Sequence, residues 1–88
     1  MLMRFTIEER HLTDLAGKPV GTPAPVSFHS CDAESVEDAV RSFASTDEAE
    51  VIGKIQTFPG FQGIATVRKP SGVYTLAIAP ASQQLRLS

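Results

Sequence analysis

The chain is poor in features that define several classes of protein. It has one cysteine in 88 residues, so no disulfide can form within it, and this cysteine usage favours a cytoplasmic location. No uninterrupted apolar stretch approaches the ~20 residues that cross a bilayer, so we expect no membrane span. The N-terminal residues turn polar at Glu8 and Glu9, and we therefore expect no secretory signal.

Neither sign of charge dominates the sequence. Eight Lys and Arg oppose ten Asp and Glu, which gives a formal net charge of -2. Affinity for phosphates comes mainly from neutralising them with Lys and Arg, so we do not expect nucleic acid as a partner. No repeat, charge block or low-complexity tract divides the chain. Its length and its 42% hydrophobic residues predict a single domain over 1–88.

Alternation of apolar and polar residues predicts two N-terminal strands. Met3, Phe5 and Ile7 alternate with polar residues, which is the period of a half-buried strand that runs to about His11. A Pro- and Gly-rich stretch over 13–25 follows, and we expect a mobile loop there. Residues 26–29 alternate again between apolar and polar side chains, and we expect this second strand to pair antiparallel with the first.

The segment 31–44 has the pattern of an amphipathic helix. Its apolar stripe consists of Val36, Ala39, Val40 and Phe43. Asp32 is the expected N-cap, because its side chain can accept a hydrogen bond from a free backbone N–H of the first turn. Cys31 then precedes the cap and packs on that turn.

Three further strands are predicted over 51–57, 62–68 and 73–79. The turn between the last two suits a type I turn with a G1 bulge, in which Lys69 faces Val73. The tail 81–88 is expected to fray. These elements predict an α+β fold, an antiparallel sheet in the order β-β-α-β-β-β with one amphipathic helix packed on one face.

This register gives the last two strands one bulky face and one face of small, uncharged residues. The bulky face, where we expect the helix, carries Ile64, Thr66, Arg68, Tyr74, Leu76 and Ile78. The second face carries Gly63, Ala65, Val67, Thr75, Ala77 and Ala79. One helix cannot cover both faces of a sheet, so the second face is covered by the long loop or by a second copy of the chain.

The sequence therefore favours a small non-enzymatic binding or protein-interaction module, a homodimer or the partner of another protein, with no cofactor. The expected partner-binding residues are Phe58, Phe61, Ala65, Val67, Thr75 and Ala77. The two phenylalanines belong to this set because rings that flank a Pro-Gly turn are hard to bury fully. Closure of the core over the helix end is the alternative explanation for them.

A second hypothesis is a small enzyme or redox-responsive protein that uses Cys31. A thiol beside a helix N-terminus can have a lowered pKa, and His29 is close in sequence. Asp32 and Glu34 would raise the pKa of the thiol and oppose this effect. The sequence offers no third group to orient the pair and no recognisable oxyanion hole.

Metal binding is a weaker hypothesis. Glu9, His11, His29 and Cys31 are acceptable metal ligands. Strand alternation predicts that the two histidines point to opposite faces, and the spacing matches no standard zinc pattern, so we expect no metal site.

A third hypothesis, contact with nucleic acid or phosphate, rests on the basic and aromatic residues near the last turn. These are Arg68, Lys69 and Tyr74. The alternative is an ordinary solvated hairpin in which Arg68 and Tyr74 form a cross-strand pair.

Overall fold

A computed structural model of the chain describes residues 2–21 and 25–81. The elements are β1 (Met3–Thr13), β2 (Val26–Ala33), α1 (Val36–Thr46), β3 (Glu50–Phe58), β4 (Gln62–Lys69) and β5 (Gly72–Pro80). The predicted α+β fold, with one antiparallel sheet and the order β-β-α-β-β-β, is confirmed. No helix in the described part of the chain is long and apolar enough to cross a membrane.

The sheet has the strand order β2-β1-β5-β4-β3. The two strands at its edges, β2 and β3, are therefore the ones that α1 connects. Four strand spacings of ~4.8 Å separate these edges, and an 11-residue helix is roughly 16 Å long, so α1 and its flanking turns cross one face of the sheet. Within residues 2–21 and 25–81, no named helix lies on the other face.

The core lies between α1 and the face of the sheet that it crosses. The helix buries the predicted apolar stripe, and the largest fully buried side chains are Phe5, Ile7, Val40, Val67 and Leu76. Gly63 on β4 permits close packing, because a Cβ at this position would collide with the side chain of Val36 and would lie 2.9 Å from the carbonyl oxygen of Gln56. The absence of a side chain on Gly63 therefore seats the first turn of α1 on the sheet.

The helix begins later than predicted. Residues 31–33 continue β2, and Asp32 pairs with Arg4 of β1. Ser35, not Asp32, is the N-cap, since its Oγ accepts a hydrogen bond from the N–H of Asp38 at 3.1 Å. The carboxylate of Asp32 instead accepts a hydrogen bond from Arg4 Nε at 2.8 Å. Pairing with β1 thus extends the strand through residues that the sequence assigns to the helix.

The register of β4 and β5 differs from the prediction by one residue. Lys69 pairs with Gly72, not Val73, and Pro70 and Ser71 alone form the loop. Gly72 has φ 140°, a conformation that other residues rarely adopt, and a Cβ there would collide with the carbonyl oxygen of Thr13. A shift of one residue moves a whole strand's side chains to the opposite face, so the predicted composition of the two faces is wrong for β4.

The described part of the Pro- and Gly-rich segment forms a turn at the end of β1. Thr13 forms an isolated bridge with Pro19, and the N–H of Asp14 donates to the carbonyl oxygen of Lys18 at 2.9 Å. The Asp14 carboxylate also accepts hydrogen bonds from the N–H groups of Ala16 and Lys18. The mobility of this loop remains a prediction. Apart from Ala81, the predicted frayed tail lies outside the described residues.

Candidate functional site

The face of the sheet opposite α1 carries exposed apolar side chains, and we call it the open face. Its exposed apolar residues are Val26, Phe28, Ile52, Phe58, Ile64 and Ala77. Strand pairing places Phe28, Glu8, Ala77 and Ile64 in one row across four strands. Phe28 is 65% exposed and Ile64 is 45% exposed, so both ends of this row are open to solvent.

The charged side chains of the open face are paired with one another. The pairs are Arg4 with Asp32 (2.8 Å), Arg10 with Glu8 (2.7 Å) and Arg68 with Glu50 (2.6 Å). The hydrogen bond from Arg4 lowers the pKa of Asp32 below its usual value, so this carboxylate is ionised at neutral pH. Three cations and three anions cancel, and these pairs leave the open face without net charge.

The structure divides the predicted partner-binding residues between the two faces of the sheet. Thr75 and Ala77 lie on the open face, as does Phe58. Ala65 and Val67 are 2% and 0% exposed beneath α1, so a partner cannot reach them in the folded chain. The shifted register of β4 explains the difference. Gly72 was the available signal, because a glycine there also suits a two-residue loop.

The register also shows which exposed residues the sequence analysis missed. Ile64 takes the place on β4 that was expected for Ala65, and it pairs with Ala77. Phe28 and Ile52 extend the apolar surface toward the two edge strands. No local pattern identifies these residues as partner-binding, because their exposure depends on which face α1 crosses.

Phe58 and Phe61 flank a cleft beside the start of α1, which we call the aromatic cleft. Its volume is about 310 Å³, and its lining residues are Ser35, Val36, Glu37, Thr57, Phe58, Gly60 and Phe61. Phe58 and Phe61 are 45% and 53% exposed, so they do not close the core over the helix end. The loop between β3 and β4 has three residues, and both Gly60 and Phe61 have positive φ.

A cluster of charged side chains lies near the C-terminal end of α1. This charge cluster consists of Glu9, His29, Asp47 and Lys69. Lys69 Nζ lies 2.7 Å from Glu9 Oε2 and 3.5 Å from Asp47 Oδ2, and His29 Nε2 lies 2.8 Å from Glu9 Oε1. Glu9 is 4% exposed and is the buried charged residue of the described chain. The cluster joins β1, β2 and β4 to the end of the helix.

The charge cluster holds Glu9 as an anion despite its burial. Burial by itself would raise the pKa of Glu9, but the hydrogen bonds and charges of Lys69 and His29 outweigh it, and the pKa is lowered. Burial likewise opposes the charge of Lys69, and Glu9 and Asp47 outweigh it and raise the pKa of the ammonium. The ionised Glu9 therefore stabilises the fold above its ordinary pKa of 4.5, and this contribution is lost as the pH falls through the lowered pKa.

Three members of the charge cluster could serve as metal ligands. One ligand atom from each of Glu9, His29 and Asp47 lies within 4.8 Å of the others. This set shares Glu9 and His29 with the residues considered from the sequence and replaces His11 and Cys31 by Asp47. The ammonium of Lys69 already contacts both carboxylates. A metal ion would have to displace this cation.

The two histidines lie on the same face of the sheet, which corrects the prediction that they point to opposite faces. His29 pairs with Ile7 and packs edge-on against Phe43, with 5.1 Å between the ring centroids. The alternation was misassigned because Phe28 was taken as the inward residue of β2. At the edge of the sheet Phe28 faces outward, and His29 gains the buried Glu9 as its partner.

Cys31 does not have the surroundings of an activated thiol. It is a half-buried strand residue opposite Phe5, four residues before the N-cap of α1, and it borders a cleft of about 120 Å³ that His29 and Asp47 also line. Burial, and then the charge of Asp32, raise the pKa of its thiol. The thiolate is the reactive form, so these surroundings disfavour nucleophilic chemistry at neutral pH. The enzyme or redox hypothesis stays a prediction without support from this geometry.

The basic residues of the last turn do not form one surface. Arg68 and Lys69 are neighbours in β4 and point to opposite faces, where Glu50 and Glu9 hold them. Tyr74 lies under Lys69 at 4.6 Å from ring centroid to Nζ, and its hydroxyl is hydrogen-bonded to Ser71. A phosphate would have to compete with a carboxylate for each cation. The nucleic-acid hypothesis also stays a prediction.

Comparison with protein-family models, with characterised proteins and with solved structures gives no match to this chain. The class that the fold defines is a small α+β fold in which α1 covers one face of the sheet and no other named element of the described residues covers the second face. Its function therefore has to be inferred from the open face, the aromatic cleft and the charge cluster.

Proposed function

We propose that the protein is a non-enzymatic protein-interaction module that pairs with a second copy of itself through the open face. The observation that carries this proposal is the group of exposed apolar side chains, Phe28, Ile64 and Ile52 among them, that lies between ion pairs on a sheet face that α1 does not cover. An antiparallel sheet exposed to water on one face ordinarily carries polar side chains there. Several large apolar side chains exposed on one face of a folded domain are typical of an interface.

The distribution of charge supports pairing through this face. The six charged residues of its ion pairs cancel, so two open faces meet without net repulsion. On the opposite side, α1 and its N-terminal flank carry three carboxylates, Glu34, Glu37 and Asp38, against one cation, Arg41. Two acidic helix surfaces would repel each other, and face-to-face pairing of the sheets keeps them on the outside of the dimer.

The size of the open face fits a dimer interface. Five strands of about eight residues span roughly 24 Å by 26 Å, which is on the order of 600 Å² before side-chain relief is counted. A standard interface buries roughly 800 Å² on each partner. Two such sheets would pack about 10 Å apart with their strands nearly aligned, as in a β-sandwich.

Light scattering at several protein concentrations tests this proposal. We expect the wild-type chain to reach twice the 9.4 kDa mass of one chain. Ala77→Glu and Ile64→Lys should both remain monomeric, because each places an unpaired charge in the buried centre of the interface. The two variants add opposite charges, so loss of the dimer in both cannot be due to repulsion from Glu8.

Ser45→Glu is the matched control, because it adds the same charge as Ala77→Glu on the exposed side of α1. It should dimerise like the wild type. A wild-type chain that stays monomeric at every concentration contradicts the proposal. A dimer that persists in both open-face variants also contradicts it, because the interface would then lie elsewhere.

A further inference from the structure

We propose that the aromatic cleft binds a segment of a partner protein that presents a bulky apolar side chain next to Lys or Arg. This inference rests on the proposed function in one respect, that the chain is an interaction module. It uses the end of the sheet where the β3–β4 loop meets α1, a surface that shares Phe58 with the open face.

The shape and lining of the cleft suit an apolar side chain. Its volume of about 310 Å³ lies at the lower end of the range for ligand pockets, and Val36, Phe58 and Phe61 form its apolar walls. Ser35 and Thr57 contribute hydroxyl groups at the margin. A few polar groups around apolar walls are the usual composition of a recognition pocket.

The backbone of Phe61 is held in an unfavourable conformation. Its φ of 60° lies in the left-handed region, where a bulky residue is uncommon and Gly or Asn is preferred. The ring gains little burial in return, since it remains 53% exposed at the cleft. Strain of this kind is concentrated at binding and catalytic sites. The loop thus keeps an aromatic ring beside the cleft where a glycine would relieve the strain.

The charge around the cleft favours a cation over an anion. A helix N-terminus has a partial charge of about +0.5, which by itself would attract an anion. Two carboxylates, Glu37 and Asp38, lie in the first turn of the helix and outweigh that charge, and Glu37 lines the cleft. Ser35 already accepts a hydrogen bond from the N–H of Asp38.

The nearby cations lie outside the lining of the aromatic cleft. Arg41 lies 3.9 Å from Asp38, one turn further along α1, and it borders a neighbouring hollow together with Lys54. Neither residue lines the aromatic cleft, and its described lining contains no Lys or Arg. The faces of the two phenylalanine rings add attraction for an ammonium or guanidinium group. An anionic partner, such as a phosphorylated peptide or an acidic lipid surface, is therefore disfavoured.

Two peptide probes of opposite charge test the inference on the full chain. The probes are the acetylated amides Lys-Leu-Phe-Lys-Lys and Glu-Leu-Phe-Glu-Glu, titrated into the isotope-labelled protein and followed by NMR chemical shifts. We expect the lysine peptide to shift the amide signals of Val36, Gly60 and Phe61, with weaker binding at higher salt. The glutamate peptide should bind at least tenfold more weakly.

Phe61→Asn is the informative variant, because asparagine adopts the left-handed backbone readily and the fold should be retained. We expect it to weaken binding of the lysine peptide at least tenfold without lowering the melting temperature. Ser45→Glu is the control, because it adds a charge on the exposed side of α1 away from both the cleft and the open face, and it should bind the peptide as the wild type does. Absence of shifts with the lysine peptide, equal binding of the glutamate peptide, or full binding by Phe61→Asn would overturn the inference.

Discussion

At the scale of single residues, Glu9 is the least expected feature of the molecule. It occupies an inward position of β1, in phase with the fully buried Phe5 and Ile7. A buried carboxylate is costly unless other groups pair with it, and Lys69 and His29 do so. Glu9 was not identified from the sequence as a buried residue, although it is in phase with Phe5 and Ile7. The sequence does not name its partners, because Lys69 is 60 residues away and its position depends on the register of β4.

Replacing Lys69 should show how much the buried pair contributes to stability. In Lys69→Met the ionised Glu9 keeps only His29, and we expect the free energy of unfolding to fall by about 2 to 3 kcal/mol. Chemical denaturation at a fixed protein concentration measures this change.

Arg68→Met is the matched control, because Arg68 is the next residue of the same strand and also pairs with a glutamate. In the single chain that pair is exposed, and at protein concentrations at which the chain is monomeric its loss should cost less than about 1 kcal/mol. Equal losses in the two variants would contradict the assignment of Glu9 and Lys69 as a buried pair.

At the scale of elements, the local pattern of apolar and polar residues predicts each strand and the helix. It fails where the same residues suit both a strand and a helix, or two lengths of loop. The alternation in β1 and the apolar stripe of α1 identify those elements because both periods are local. Residues 31–33 suit either a strand or the first turn of a helix, and pairing with a distant segment of β1 makes them strand. At the β4–β5 turn, Gly72 suits either a two-residue or a three-residue loop. The structure has the two-residue loop, in which Gly72 lies close to the carbonyl oxygen of Thr13.

The N-cap assignment can be tested by two alanine variants. Ser35→Ala removes the hydroxyl that accepts the Asp38 N–H, and the free energy of unfolding should fall by about 1 kcal/mol. At concentrations at which the chain is monomeric, Asp32→Ala removes only an exposed strand pair with Arg4 and should have the smaller effect. Thermal or chemical unfolding followed by circular dichroism compares them. A larger loss in Asp32→Ala would indicate that Asp32 has the capping role.

At the scale of the whole molecule, the order of the strands determines which residues a partner can reach. Pairing of β1 with β5 in the centre of the sheet leaves β2 and β3 at the edges, and no local pattern contains that information. Of the four partner-binding residues predicted for the small face, Thr75 and Ala77 therefore lie on the open face, while Ala65 and Val67 lie beneath α1. One helix cannot cover both faces of a sheet, so the expectation of an uncovered face does not depend on the register. In the described residues α1 covers only one face.

Contacts between two copies of the chain can be observed by an isotope-filtered NOE experiment on an equal mixture of labelled and unlabelled protein. Pairing through the open face predicts intermolecular NOEs at the methyl groups of Ile52, Ile64 and Ala77, and none at Val40 beneath the helix. A concentrated sample in which those three residues show no intermolecular NOE would contradict the proposed dimer.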